Sequence, residues 1–482
     1  MQQQKYKTIN MVTELDKEKF DKIKSNSMLR PLFHITPPHG LLNDPNGFCY
    51  LNNQYHLFYQ WFPFDTYHGL KHWMHLTSDD LLNWHEHGAK IIPTESYESH
   101  GAYSGAALVK NEHAYLFYTG NVKQGNERDA NQCLAILDNN NQVTKHTLNP
   151  VIESVPQGYS GHVRDPKIIK HGNDYLMLLG AQREADSKGE IIVYQSEDLL
   201  NWQFKGPLNI DVEGNFIQAY MYECPDLLNI DGHDVLIFSP QGVAKNGTRF
   251  HNKFNVVYCL GRVDFEQLRF EVIHWDELDR GFDFYAPQTL ANTPTQQTLI
   301  AWAGTDDHLP SEQYGWINCL TLTRELAVEN NRLLQKPNII NSGSFKTKNG
   351  HLLINQGVEL DSLSFSLTLD NLSNNQNLTI SLNTQSGNEL TFTINNNTIT
   401  LDRELYDHHP QDWKYGCKRQ HLTDYDINNI SFICDQSIIE IYINNGRDVF
   451  TCLFFPKQES HQLNIFTENV AKLNTQLTYL TI

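Results

Sequence analysis

At 482 residues the chain is too long for one ordinary core, and roughly 100 to 200 residues per domain implies two or more domains. Apolar residues make up 40% and aromatics 11%, enough to fill a buried interior. With 37 basic against 56 acidic residues the net charge is −19, which argues against nucleic acid or an acidic membrane surface as partner and requires any bound phosphate to sit in a local basic pocket. The first thirty residues, expected as an N-terminal extension, hold no uninterrupted apolar run of the kind a signal peptide needs, and no later segment approaches a membrane span, so the cytoplasm is the expected compartment. Eight scattered cysteines without Cys-x-x-Cys spacing point to neither a disulfide framework nor a zinc site.

The next segment is "HGLLNDPNG", residues 39 to 47. Asp, Pro and Asn-Gly are the residues that turn geometry favours, so Asp44 alone reads as a well-made turn. A repeat outside the stretch changes that reading. "NDPNGFCYLNNQYHLFYQ" from Asn43 is echoed by "YSGAALVKNEHAYLFYTG", "RDPKIIKHGNDYLMLLGA", "ECPDLLNIDGHDVLIFSP" and "YAPQTLANTPTQQTLIAW". Aligned on Asp44, Ser104, Asp165, Cys224 and Ala286, the steps are 60, 61, 59 and 62 residues. "SDDLLNW" at Ser78 also returns as "SEDLLNW" at Ser196, a spacing of 118, about twice the same period.

Period-2 patterning and short turn-bounded apolar runs mark these units as strands, and a sixty-residue unit of about four strands is a propeller blade. A five-bladed β-propeller over residues 31 to 335 is expected, in an all-β protein; a meander sandwich is the alternative. In a propeller Asp44, Ser104, Asp165, Glu223 and Tyr285 share one radial position. Three acids then converge, which costs stability unless one carboxyl is ionised and another holds a proton, the division that glycoside hydrolysis uses. Glu223 lies one residue ahead of the pre-proline slot of Asp44 and Asp165 and should reach the pocket from another angle, with Tyr222 and Cys224 as weakly polar neighbours.

"LLNDPNG", "YSG", "RDPK", "ECPD" and "FYAPQ", in this order and spacing, resemble the β-fructofuranosidase (invertase) family of glycoside hydrolases, most closely members that act inside the cell on sucrose 6-phosphate. The resemblance implies a small sugar as the molecule bound, with no cofactor and no metal. It implies Asp44 as nucleophile, Glu223 as acid and then base, and Asp165 as the group that holds fructosyl hydroxyls. It also implies sugar contacts from Asn43, Gln60, Trp73, Tyr103, Ser104, Arg164, Tyr285 and Trp302, with an indole face against sugar C–H groups and Arg164 keeping Asp165 ionised. Trp73 and Trp302 read equally as core aromatics and Gln60 as a strand-end hydrogen bonder, while His56, His72 and His75 read as structural. "WAG" at Trp302, Thr323 and Met74 depart from the family pattern without touching the acids.

Residues 336 to 344 are expected as a linker. Beyond it the composition turns to Asn, Ser and Thr with alternating runs such as "LTFTINNNTITL", and "YINNG" is a hairpin signal, so 345 to 482 reads as a β-sandwich with a structural role. Alternatives are a fructosidase for short β-fructans, an inverting five-bladed glycosidase for pentose glycans, and a sugar-binding propeller without catalysis.

Overall fold

The second strand of each repeat is the most apolar, for example "DYLMLLGAQR" (Asp174–Arg183) and "HDVLIFSPQ" (His233–Gln241), because both of its faces are covered by neighbouring sheets. The computed structural model describes the chain apart from residues 1–4, 126, 215, 294–296, 305–307, 339–344, 373–376, 405–414, 458, 469–472 and 482. Its first five sheets are antiparallel meanders of four main strands each, running from Gly40 to Pro337. Their innermost strands are Gly40–Leu51, Ala102–Lys110, Tyr159–His171, Met221–Ile230 and Tyr285–Thr289. Each packs on the next, and the fifth returns to the first, so the sheets form a five-bladed propeller.

Closure is made by backbone. Trp316–Ile317, drawn from the fifth repeat, pairs in parallel with Gly40–Leu41. The Ala291 N–H donates to Phe48 O (2.9 Å) while Tyr50 N–H donates to Ala291 O (3.0 Å), tying blade five to blade one. The "S-[DE]-D-L-L-N-W" echo is one turn used twice, after the third strands of blades one and three. Asp80 and Asp198 each accept from the backbone two and three residues on, and Leu81 and Leu199 take φ of 64° and 72°.

All five innermost strands carry a β-bulge at the aligned position, where two residues face one. Asn43 and Asp44 stand opposite Gln60, and Tyr103 and Ser104 opposite Thr119. In blades three to five the pair moves one residue on, to Asp165-Pro166, Cys224-Pro225 and Ala286-Pro287. Only in these three does the aligned residue adopt left-handed φ, at 66° for Asp165 and 47° for Cys224 and Ala286. A non-glycine residue held there costs about 1 to 3 kcal/mol, a strain of the kind that clusters at functional sites.

The C-terminal part is a sandwich of two six-stranded sheets over an apolar core that includes Phe365, Leu367, Phe392, Ile399, Phe432 and Phe450. The "YINNG" turn joins Ile438–Ile443 to Asp448–Leu453, with Asn444 and Asn445 both at positive φ. Gly446 presses on the propeller: a Cβ there would lie 1.7 Å from Gln335 O. The fifth blade's last strand, Arg332–Pro337, runs into the stretch expected as linker, and 339–344 lie outside the described residues. The N-terminal extension holds a helix over Glu14–Lys24, capped by Thr13 and Asp16, whose Phe20 stacks on His39 at 3.6 Å.

Propeller and sandwich meet across buried charge. Asp435 accepts from the backbone N–H groups of Leu32, Phe33 and His34 and from His34 Nδ1, while His34 Nε2 donates to Glu440 (3.1 Å). Glu440 also receives Arg324, which reaches Asp279 as well. Burial alone would depress the His34 pKa, yet Asp435 and Glu440 outweigh it and raise it from 6.5 to about 9. The imidazolium therefore contributes stability that is full below pH 6.5 and is lost as pH rises through 9. Replacing His34 by Ala removes the cation that two buried carboxylates share and should cost about 3 to 5 kcal/mol. Chemical denaturation of parent and variant should show this gap at pH 6 and a narrower one at pH 9; a gap under about 1 kcal/mol at pH 6 would remove the seam from the stability argument.

Candidate active site

Every blade bulges at the aligned position or one residue beyond it, so consecutive residues of the innermost strands can both approach the axis. The residues before the aligned position are Asn43, Tyr103, Arg164, Glu223 and Tyr285; those at it are Asp44, Ser104, Asp165, Cys224 and Ala286. Asp44, Asp165 and Glu223 come together around Cys224. The Cys224 N–H donates to Asp165 Oδ2 (3.0 Å), and its Sγ lies 3.9 Å from Asp44 Oδ2.

Asp44 is held by a chain of donors. Lys71, 4% exposed, places Nζ 2.6 Å from Asn43 Oδ1. An ammonium only donates, so Asn43 must turn its oxygen to Lys71 and its amide N–H groups elsewhere. These go to Asp44 Oδ1 (3.1 Å) and Gln60 Oε1 (2.7 Å). Gln60 Nε2 then donates to Ser104 Oγ (2.5 Å), and the Ser104 hydroxyl donates to Asp44 Oδ2. Both Asp44 oxygens thus receive a hydrogen, although burial, aided by Glu223, still raises its pKa against the pull of Ser104, Asn43 and Lys71.

Glu223 receives Arg164 on Oε1, with Nε at 2.8 Å, and Gln241 Nε2 (2.6 Å) and the Tyr285 hydroxyl on Oε2. The tyrosine hydroxyl can turn from donor to acceptor by rotating about its C–O bond, so it tolerates Glu223 in either protonation state. This corrects the expectation of a weakly polar setting: Tyr222 turns into the core and bonds Ile217 O, and Cys224 faces Asp44. A second correction concerns Arg164, which binds Glu223 and stands 4.0 Å from Asp165. Burial, then Glu223 and Asp44, exceed its pull and raise the Asp165 pKa.

Trp73 does not offer an indole face to the pocket. It is wholly buried against Phe58 and Tyr118, and its N–H donates to Tyr103 O (3.1 Å), so it supports Tyr103 from behind. Trp302 packs edge-on to Tyr285 (6.2 Å) and His68 (6.4 Å), and its indole N–H meets no acceptor among the described residues. His56 and His75 bond each other (3.1 Å), and His72 accepts from Ile9 N–H and donates to Leu70 O. Below the acids, a cavity of about 20 Å³, room for one water, is walled by the bulge prolines and by Lys167 and Asp226, an ion pair at 2.8 Å.

Sequence reasoning missed Lys71, Gln241 and the bridging role of Cys224. Lys71 had a signal, a lone cation in "HGLKHW" just before the fully buried strand His72–Ser78. Gln241 had none.

With this geometry in view, residues 34–337 match the glycosyl hydrolases family 32 N-terminal domain, and 329–480 the glycosyl hydrolases family 32 C-terminal domain. The chain is 34% identical over 471 residues to the sucrose-6-phosphate hydrolase of Bacillus subtilis, covering 95% of each protein. The solved sucrose-6-phosphate hydrolase of Lactobacillus gasseri superposes with a TM-score of 0.89 at 31% identity, over 100% of this chain and 99% of that one. A Bombyx mori family 32 β-fructofuranosidase variant in complex with sucrose superposes with a TM-score of 0.83 at 28% identity, over 97% of each chain. No helix among the described residues is long and apolar enough to cross a membrane. The chain belongs to family 32 of the glycosyl hydrolases.

Proposed function

We propose that the protein hydrolyses the β-fructofuranosidic bond of sucrose 6-phosphate, and of sucrose, with retention of configuration. The observation that carries this is the meeting of three carboxyls from three blades around Cys224, each with a different set of partners. Asp44 is the nucleophile: its oxygens are aimed by Ser104 and Asn43, and it attacks the anomeric carbon of the fructosyl unit. Glu223 protonates the departing glycosidic oxygen, with Tyr285 accommodating the proton beforehand. The fructosyl–Asp44 ester is then opened by a water that gives its proton to Glu223. Asp165, held by the Cys224 N–H, takes fructosyl hydroxyls, and its raised pKa suits a group that donates as well as accepts.

Asn43, Gln60 and Ser104 bind the furanose and fix Asp44, while Tyr103, Tyr285 and Trp302 line the apolar side. The names of the relatives support the phosphorylated substrate. A sugar phosphate is a dianion that does not cross a lipid bilayer unaided, which supports the cytoplasm as its place of action.

Asp44→Ala should lower turnover on the order of 10⁴-fold or more while the thermal transition persists, and a folded variant that still cleaves sucrose would end the nucleophile assignment. Proton NMR within the first turnovers should show β-fructofuranose before mutarotation; the α anomer would mean inversion. Glu223→Ala should lose far less on fructosides with acidic leaving groups than on sucrose, and equal losses would contradict proton donation.

A fourth expectation concerns pH. Asp44 works ionised, so its raised pKa places the acid limb of kcat/KM above the ordinary carboxylate range, and activity falls as pH drops through it. Lys71→Met removes a charge that lowers that pKa, so the limb should move to higher pH. Glu223, Asp165 and Cys224 face Asp44 from the other blades and are unchanged in this variant. A limb that stays put would show that Lys71 only packs.

A further inference from the structure

The second blade's hairpin sets two cations against each other. Lys123 and Arg128 are direct cross-strand partners between His113–Gln124 and Glu127–Leu137. Like charges in that relation are destabilising, and this chain carries a net charge of −19. Neither has an ion-pair partner among the described residues, and the same holds for Lys5, whose carbonyl accepts from Leu70 N–H at the same rim. By contrast Arg183, on the neighbouring blade, is paired with Asp186 and Glu190.

The pair is seated beside the acids. The Arg128 guanidinium lies over the Tyr103 ring at 5.7 Å, next to Ser104. Its carbonyl packs on Gly161, where a Cβ would come within 2.2 Å, so a glycine is needed for the hairpin to rest on the third blade's innermost strand. From there His162 Nδ1 accepts from Arg164 (3.0 Å), and Arg164 holds Glu223. The order outward from the proton donor is Glu223, Arg164, His162, Arg128, Lys123. His162 is held low, to about 4, by burial and then by Arg164 and Arg128, so its ring is neutral and leaves the excess charge on the two rim cations. Burial, Arg128 and Lys5 likewise lower Lys123.

We propose that Arg128 and Lys123, with Lys5 at the edge, form an anion subsite that takes the phosphate monoester of the departing sugar. Arg128 supplies a planar fork for two phosphate oxygens and Lys123 a point charge, a combination suited to a dianion. The dianion replaces the repulsion across the hairpin by attraction, so occupation and hairpin order are coupled. Position on the Glu223 side makes this a subsite for the leaving group and not for fructose. The inference rests on the proposed action on a phosphorylated disaccharide and gives that specificity a location.

The test is kcat/KM on sucrose 6-phosphate and on sucrose for the parent, Arg128→Gln, Lys123→Gln and Arg128→Lys. The parent should prefer the phosphate ester. Arg128→Gln should lower the ratio of the two constants at least tenfold, Lys123→Gln by a smaller factor, and Arg128→Lys should restore part of it. Raising the salt concentration should shrink the parent's preference, since a rim contact is screened. A purely structural role would lower both constants together and leave the ratio unchanged, which overturns the subsite. A parent without preference overturns the substrate reading and the subsite with it; a parent that prefers the ester, with variants that keep the preference, overturns the subsite alone.

Discussion

The two-against-one bulge in each innermost strand is the constraint on which the site depends. A regular strand alternates its side chains between faces, so only every second residue could approach the axis. At the aligned position the bulge breaks that alternation and lets consecutive residues turn inward. Asn43 with Asp44 and Tyr103 with Ser104 are such pairs, while in blade three the bulge takes Asp165 with Pro166 and leaves Arg164 in register just before it. The shift of the bulge by one residue between blades two and three separates the roles further. It leaves Asp44 and Ser104 outside the left-handed region and puts Asp165 and Cys224 in it, where the Cys224 N–H meets Asp165.

Geometry alone would not make three adjacent carboxyls useful, because burial opposes every charge placed there. The molecule answers with donors of fixed direction. Lys71 can only donate, and that single fact propagates through Asn43, Gln60 and Ser104 until both oxygens of Asp44 are satisfied. Around Glu223 the donors differ, with the Arg164 guanidinium on one oxygen and the Gln241 amide and Tyr285 hydroxyl on the other. The two carboxyls thus sit in different settings, Asp44 among neutral donors and Glu223 against a fixed cation.

Much of this was legible in the sequence. A period of sixty on strand-like text sufficed for five blades, and the motifs at register named Asp44, Asp165 and Glu223. The bulge itself was present only as a one-residue offset of Glu223, which reads as a change of face and not as an extra residue. Trp73 read both as a sugar contact and as a core aromatic, because an indole near a motif looks the same whether its ring faces a sugar or, as here, Phe58 and Tyr118. The partners of Glu223 were misjudged because Gln241 is eighteen residues away along the chain, on the paired strand, where no motif marks it. Long-range cross-strand contacts carry no local signature, and electrostatic settings are made mostly of such contacts.

The seam with the sandwich follows the same logic at larger scale. Asp435 gathers three successive N–H groups of Leu32 to His34, just ahead of the strand that carries Asp44, and Glu440 takes Arg324 from the fifth blade. One sandwich sheet therefore grips both the beginning and the end of the propeller ring. The ring closes through the two-residue pairing of Trp316–Ile317 with Gly40–Leu41 and the two backbone bonds of Ala291, a short joint, and any opening there would part Asn43 and Asp44 from Tyr285 and Trp302. Clamping both sides of the joint to a second domain resists that motion from outside the group of side chains that holds the acids. The structural role of the C-terminal domain is, on this argument, a condition for the chemistry: it keeps the first and fifth blades at the spacing their side chains need.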